Sequence, residues 1–163
     1  MITFPGWYEG GFPDTELLVL DLVQRFLDEL DPAGQAVTYL PANYAEIVES
    51  GTPLVRVYRG GMASRDLFDP AAVQLGVIAA SRADSWAVME YLRQVLLSFD
   101  HGGPVKREDG SVSMIDSISE VVGPQQLPEL NPDLRLVPAT FRVVTRRPRE
   151  LPDYTRIRAG LPL

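Results

Sequence analysis

The sequence predicts an α+β domain with two helices packed on one face of a four-stranded, mainly antiparallel sheet. Apolar residues recur with a helical period at positions 14–30 and 82–99. Four other runs alternate apolar and polar residues or are rich in β-branched residues, as strands are. The order along the chain is α-β-β-α-β-β, and one sheet covered by two helices buries every apolar stripe.

Composition predicts one domain with its own core. The chain has 163 residues, of which 45% are hydrophobic and 23% are charged. We divide it into an N-terminal arm at 1–13, a core at 14–146 and an extended C-terminal tail at 147–163. The arm holds prolines, glycines and aromatic residues. It either packs on its own domain or docks on a neighbouring subunit.

Charge and residue usage exclude several functions. The net charge is −7 and the sequence pI is about 4.7, which argues against a nucleic-acid-binding surface but not against DNA that passes by without sticking. There is no cysteine, so disulfides and thiolate chemistry are excluded. We expect no signal peptide and no contact with a membrane, because no apolar run approaches the ~18 residues that span a bilayer.

The first helix is predicted over residues 14–30. Asp14 or Thr15 caps its start, and the pair at 31–32, Asp-Pro, ends it because proline disfavours the α conformation in the residue before it. Residues 35–40 are compatible with a short strand and residues 41–50 with a helical turn, and neither is counted among the main elements.

The central stretch predicts a hairpin followed by the second helix. Strands at 54–59 and 72–80 flank a turn or protruding loop that starts at Gly60 and Gly61. Ser81 or Asp84 caps the helix. Its apolar stripe, with Met89 at the centre, predicts that the helix lies on the sheet.

Two further strands are predicted after a mobile loop. The glycine-rich, charged segment 100–110 reads as that loop. In the strand at 111–122 the alternation places Val112, Met114, Ile118 and Val121 inward. The last strand covers 134–146, where Pro138 suggests an edge position or a bulge.

The sequence contains only weak candidates for catalytic or metal-binding groups. His101 is the one histidine, and no G-x-S-x-G elbow accompanies it. Asp66, Asp69 and Asp84 do not have the spacing of an EF-hand loop, and Gly60 with Gly61 lacks the lysine of a phosphate-binding loop. We therefore predict no catalytic, cofactor-binding or metal-binding residues.

The C-terminal part of the chain is rich in arginine. It is either a solvated edge or a basic surface that meets an acidic face of another copy or of a partner. The arginines concerned are Arg142, Arg146, Arg147, Arg149, Arg156 and Arg158.

Three local patterns carry a resemblance over residues 54–148. They are VRVYRGG, VIAASRADSWAVMEYLRQVLL and LRLVPATFRVVTRRP. With the element order, they resemble the tail terminator proteins of long-tailed bacteriophages. The resemblance implies a structural virion protein, not an enzyme, that needs no cofactor. Such proteins form a ring, usually of six subunits, that caps the tail tube and stops its polymerisation.

The resemblance also implies partners and a location. The ring contacts the major tail tube protein and the head-completion proteins of the neck, and DNA passes through its lumen without specific binding. The protein belongs to the virion tail and is assembled in the host cytoplasm. Two alternatives stay open: a head-closure or adaptor protein of the neck, and a small α+β enzyme or ligand-binding module with its site near His101.

We predict that the loops at 60–69 and 100–110, together with arginines near the C-terminus, contact other subunits or the tube. The reason is that loops on a rigid sheet often carry binding. The predicted interface residues are Gly60, Gly61, Arg65, Asp66, His101, Lys106, Arg107, Arg146 and Arg147.

Overall fold

A computed structural model describes residues 2–8, 10–63, 67–126, 133–147 and 153–160. That part of the chain contains four helices and six strands. The helices are α1 (Thr15–Leu27), α2 (Tyr44–Glu49), α3 (Arg82–Leu97) and α4 (Tyr154–Arg158). The strands are β1 (Gln35–Val37), β2 (Leu54–Gly60), β3 (Phe68–Ile78), β4 (Gly103–Lys106), β5 (Val112–Val122) and β6 (Val137–Arg146).

The predicted four-stranded sheet is wrong, because the sheet has six strands and is mixed. Its order is β1-β2-β3-β6-β5-β4. β1 pairs with β2 in parallel, and all other neighbours are antiparallel. The two strands absent from the prediction, β1 and β4, have three and four residues. Such runs are too short to show the alternation from which a strand is predicted.

The sheet is curled into a half-barrel around α1. α1 packs against β1 and β2 at one edge of the sheet and against β4 at the other. A flat sheet of six strands would be about 24 Å wide at the usual strand spacing, more than twice the diameter of a helix. One helix can therefore touch both edges only if the sheet curves around it.

The two long helices confirm their predictions. The Asp14 carboxylate accepts from the backbone N–H groups of Glu16 and Leu17, and the Ser81 hydroxyl oxygen accepts from the N–H of Asp84. Both helices bury their apolar stripes on the concave face of the sheet. The buried residues of α3 are Ser85, Met89, Leu92, Val95 and Leu96, and those of α1 are Thr15, Leu18, Val19, Leu22, Val23 and Leu27.

A second, smaller core on the opposite face of the sheet corrects the prediction that helices cover one face alone. Val48 of α2 is fully buried against Leu54 and Ile78. Their neighbours Val55 and Val77 belong to the main core, so the strands alternate between the two clusters. The six residues of α2 give too little periodicity to predict how the helix packs.

The inward residues of β5 agree with the prediction at Ile118 alone. Val112, Met114 and Val121 are exposed, and Ile115, which was not predicted to face inward, is buried. An irregularity in the pairing with β6 falls between Ile115 and Ser117. A bulge adds one residue and reverses the alternation. The two buried isoleucines are therefore three positions apart instead of two or four.

Near the C-terminus, the first alternative for Pro138, an edge position, and the extended tail are wrong. The second alternative, a bulge, has an irregularity of the β5–β6 pairing nearby, between Glu120 and Val122. β6 lies in the middle of the sheet, between β3 and β5, so Pro138 is not on an edge strand. It is the second residue of β6, and the described pairing with β5 starts only at Thr140. The tail predicted as extended contains α4, which the Asp153 carboxylate caps by accepting from two backbone N–H groups. Five residues are too few for a helical pattern to stand out in the sequence.

Candidate assembly surface

One end of the sheet gathers most of the predicted interface residues. Gly60 ends β2 opposite Ala72, Arg146 ends β6 opposite Phe68, and Lys106 ends β4 opposite Val112. We call this end, formed by residues 60–61, 67–69, 106–115 and 145–147, the loop end. The prediction grouped these residues because each lies where a strand gives way to a connection.

The loop between β2 and β3 is described in part. Gly61 is exposed immediately after β2. Arg65 and Asp66, which were predicted to lie in the interface, are outside the described residues. The contacts of this loop therefore stay a prediction.

Arg146 joins three strands at the loop end. Its Nη2 lies 2.7 Å from Oδ1 of Asp116 on β5, and its guanidinium carbon lies 5.5 Å from the centre of the Phe68 ring on β3. The hydrogen bonds to Asp116 raise the pKa of Arg146. Arg146 holds an exposed aromatic ring and a carboxylate in place on the outer face of the sheet.

Arg147 makes its contacts within the subunit. Its backbone N–H donates to the carbonyl of Leu67 at 3.0 Å, and its guanidinium carbon lies 5.4 Å from the centre of the Phe12 ring. Its Nη1 donates to the hydroxyl of Tyr154 at 3.4 Å. The end of the N-terminal arm and the start of α4 therefore meet at the loop end of their own domain.

The segment 100–110, predicted as a mobile loop, contains β4 and a defined turn. Val105 of β4 is buried, and the N–H of Arg107 donates to the carbonyl of Ser111 at 2.8 Å. The Arg107 side chain bonds Asp21 of α1 through Nε at 2.5 Å. This ion pair ties the β4–β5 hairpin to α1. Lys106 is exposed beside it.

A partly buried ion pair joins β2 to β3 at the loop end, and a backbone hydrogen bond joins β2 to the start of α1. Nη2 of Arg59 lies 2.7 Å from Oδ2 of Asp69, whose side chain is only 6% exposed. The backbone N–H of Arg59 donates to Oε2 of Glu16 at 2.8 Å. Asp69 is therefore committed to Arg59. In the described parts of the chain, no group of three or more carboxylates, histidines or cysteines is placed to hold a metal ion.

His101 is isolated at the end of α3. Its side chain is 92% exposed, and Nδ1 lies 3.2 Å from Oδ1 of Asp100. Among the described residues, no G-x-S-x-G turn lies beside it.

Replacing His101 with alanine is expected to leave folding and particle assembly unchanged. The physical reason is its exposure, since surface substitutions away from structural features usually change stability by less than about 0.5 kcal/mol. Thermal unfolding and the yield of infectious particles measure the two properties. A loss of either from this single change would contradict the expectation.

Two outward-facing aromatic residues of the sheet were missed by the sequence prediction. Tyr58 on β2 is exposed beneath the guanidinium of Arg56, which lies 5.3 Å from the ring centre. Phe68 is exposed on β3, and Arg142, one of the arginines named from the sequence, is exposed on β6. Tyrosine, phenylalanine and arginine are enriched in protein interfaces. The alternation of β2 was the available signal, because it placed Arg56 and Tyr58 on the outer face.

The described helices include none long and apolar enough to cross a membrane. The fold and the loop end define the class: a small α+β domain with exposed arginine and aromatic side chains at one end of its sheet. Residues 11–152 match the model of a family described as phage tail termination protein. The chain belongs to that family, whose members are structural proteins of the phage tail. No curated protein matches the chain.

Proposed function

We propose that this protein ends the growth of the phage tail tube. Six copies form a ring that caps the finished tube, stops its polymerisation and offers its other face to the head-completion proteins. The family match over residues 11–152 carries the proposal. The ring is built into virions that assemble in the host cytoplasm, and it uses no cofactor and catalyses no reaction.

The loop end supports a role in contacts between proteins. Gly61, Phe68 and Lys106 are exposed there, on a sheet that the Arg59–Asp69 and Arg107–Asp21 ion pairs hold in shape. Loops on a rigid scaffold often carry binding. We assign this end to contacts with the tube or with neighbouring subunits.

The acidic balance of the chain suits a ring through which DNA moves. The net charge is −7. A lumen lined by carboxylates repels the phosphates of DNA, whereas a basic lumen would bind them. DNA therefore passes without a specific contact.

A second candidate is a head-closure or adaptor protein in the same neck, which would also use surface contacts and no catalytic group. The two functions differ in their partners. A tail terminator co-sediments with purified tail tubes, and a head-side protein co-sediments with DNA-filled heads that lack tails.

The test is to make particles without this protein and to measure tails by electron microscopy. We expect overlong tubes of variable length and heads without tails, and a return to uniform tails when the protein is supplied from a plasmid. Tails of normal length joined to heads in its absence would overturn the proposal. Tails of normal length that are not attached to heads would instead indicate that the protein acts on the head side of the neck.

A further inference from the structure

The N-terminal arm forms a small aromatic cluster of its own. The backbone N–H of Tyr8 donates to the carbonyl of Pro5 at 2.9 Å, which closes a turn. The ring centres of Phe4 and Tyr8 lie 4.8 Å apart, and the Trp7 ring stands edge-on to Tyr8 with its centre 6.0 Å away. Because these rings already pack on one another, a partner that bound them would have to order few further side chains.

The subunit leaves this cluster uncovered. Ile2 is 79% exposed and Phe4 is 59% exposed, and Tyr8 is exposed as well. Neither of the two cores of the domain contains a residue of the arm. A group of exposed apolar side chains marks a surface that another molecule covers. Of the two roles that the sequence left open for the arm, docking on a neighbour is the one that would bury it.

Two glycines connect the cluster to a fixed point at the loop end. Phe12 is held there by its stack on Arg147. Gly10 has a φ of +103°, and a Cβ at Gly10 would meet nothing within 4 Å. Glycine turns without steric cost, so the cluster can swing about Phe12. Residues 9–11 span at most about 10 Å, which confines the cluster to surfaces beside a loop end.

The outer face of the sheet carries an exposed apolar surface at the same end. We call it the apolar band, and its residues are Phe68, Val112 and Met114. Asp69 of β3 and Ile115 of β5 both pair with Thr145 of β6. Phe68 and Met114 each come one residue earlier, so they lie level with each other on the outer face, about 10 Å apart across β6.

The arm and the apolar band also complement each other in charge. Glu9 is the one charged side chain among residues 1–13. Arg146 lies between Phe68 and Met114, and Arg142 is exposed two outward positions further along β6. Among the described residues, Arg142 has no carboxylate partner. The band therefore combines apolar side chains with positive charge, and the arm combines aromatic rings with a carboxylate.

A ring of identical copies brings the two surfaces together. Rotation about the ring axis places the same end of every subunit at the same height and radius, so the loop end of one copy lies beside that of the next. Within one copy the arm leads into α1 on the concave face, whereas the band lies on the outer face, and both stay exposed. Each copy supplies one arm and one band, so ring closure covers every one of them.

We propose that the aromatic cluster of the arm docks on the apolar band of the neighbouring copy. The inference rests on the proposed function for the ring, and it adds the segment that joins one copy to the next. The family model matches from residue 11 onward, so the cluster precedes the part of the chain that the family shares. The contact is therefore an addition of this chain to the common fold.

Cysteine cross-linking tests the contact without background, because the chain has no cysteine of its own. Gly6→Cys places a thiol in the cluster, where a Cβ would meet nothing within 4 Å, and Val112→Cys places one in the band. We expect a covalent dimer when the two variants are produced together, built into particles and oxidised, and none when either is oxidised alone. Gly6→Cys with Gln94→Cys, an exposed position on α3, is the matched control.

A chain that carries both Gly6→Cys and Val112→Cys separates docking between copies from docking within one copy. Docking between copies links the ring into a ladder of covalent oligomers. A monomer that has lost its free thiols would show that the arm covers its own band, and this result would overturn the proposal.

Side-chain replacements give an independent readout. Phe4→Ala or Met114→Lys should lower the yield of cross-linked dimer about fivefold, because each removes apolar area from the contact. Tyr39→Ala removes an exposed tyrosine outside the arm and the band and should leave the yield unchanged. All three side chains are exposed, so folding should persist, and circular dichroism checks it. Yields that do not respond to Phe4→Ala and Met114→Lys would contradict the contact.

The outcomes separate this contact from the proposed function. Equal cross-linking of the control pair, or none from the test pair in particles with uniform tails, would overturn the contact and leave tail termination standing. Normal tails in particles that lack the protein would overturn tail termination whatever the cross-linking shows.

Discussion

Replacing Met89 with aspartate is expected to lower the free energy of unfolding by about 3–5 kcal/mol. Met89 is fully buried at the centre of α3, in the core that includes Leu92 and Phe141. A carboxylate there has no cation to pair with among the described core residues. It must be buried as a charge or protonated, and both are costly. A domain of this size is stabilised by about 5–15 kcal/mol in all, so much of the population would unfold.

Thermal and urea unfolding measure this effect. We expect the midpoint temperature to fall by about 10 °C or more, since 1 kcal/mol corresponds to about 2–4 °C in a domain of this length. Gln94→Asp introduces the same side chain on the exposed face of α3 and serves as the control. A midpoint within about two degrees of wild type for Met89→Asp would show that this face of α3 does not meet the core.

The sequence was sufficient to predict the two long helices, but it was not sufficient to predict the strands at the edges of the sheet. α1 and α3 have 13 and 16 residues, long enough for the apolar period to be clear, although the sequence left two candidates for each N-cap. β1 and β4 have three and four residues and become strands only because longer strands lie beside them. Pairing between distant segments leaves no local pattern, so the curl of the sheet could not be predicted.

The candidate surfaces also differ in whether the sequence could predict them. The loop end could be predicted because strand ends and glycines mark it in the sequence. A cleft of about 400 Å³ beyond the end of β3 could not be predicted, because four separate segments each contribute a few of its residues and none has a pattern of its own. The partners of Arg107, Arg146 and Arg147 were also beyond prediction. Arg107 and Arg146 stabilise their own subunit through ion pairs with Asp21 and Asp116, which lie far away along the chain.

Because the β4–β5 hairpin is part of the sheet, a deletion cannot test its role in assembly. Deleting residues 101–109 would remove a loop if the segment were mobile, but here it would remove β4 and the buried Val105. Defective particles would then report misfolding and not a lost contact. Point changes on the exposed side of the hairpin are the informative ones, and Lys106→Glu with Lys106→Arg as its control is the simplest pair.

Replacing Gly102 with alanine is expected to destabilise the domain by about 3 kcal/mol, because two costs add at this position. Gly102 has a φ of +78°, a conformation that costs other residues about 1 kcal/mol. A Cβ on Gly102 would also lie 2.4 Å from the carbonyl oxygen of Ile115 and 2.7 Å from that of Asp116. Both atoms belong to the backbone of β5, so the strand itself must move.

Gly110→Ala separates the two costs. Gly110 has a nearly equal φ of +84°, but a Cβ there would meet nothing within 4 Å. The control should therefore lose only the conformational part, about 1 kcal/mol. Urea unfolding of both variants measures the difference. Equal losses would show that the junction between α3 and β4 yields without strain. A larger loss for Gly102→Ala would show that close packing against β5 holds this segment as a strand, despite a composition typical of a mobile loop.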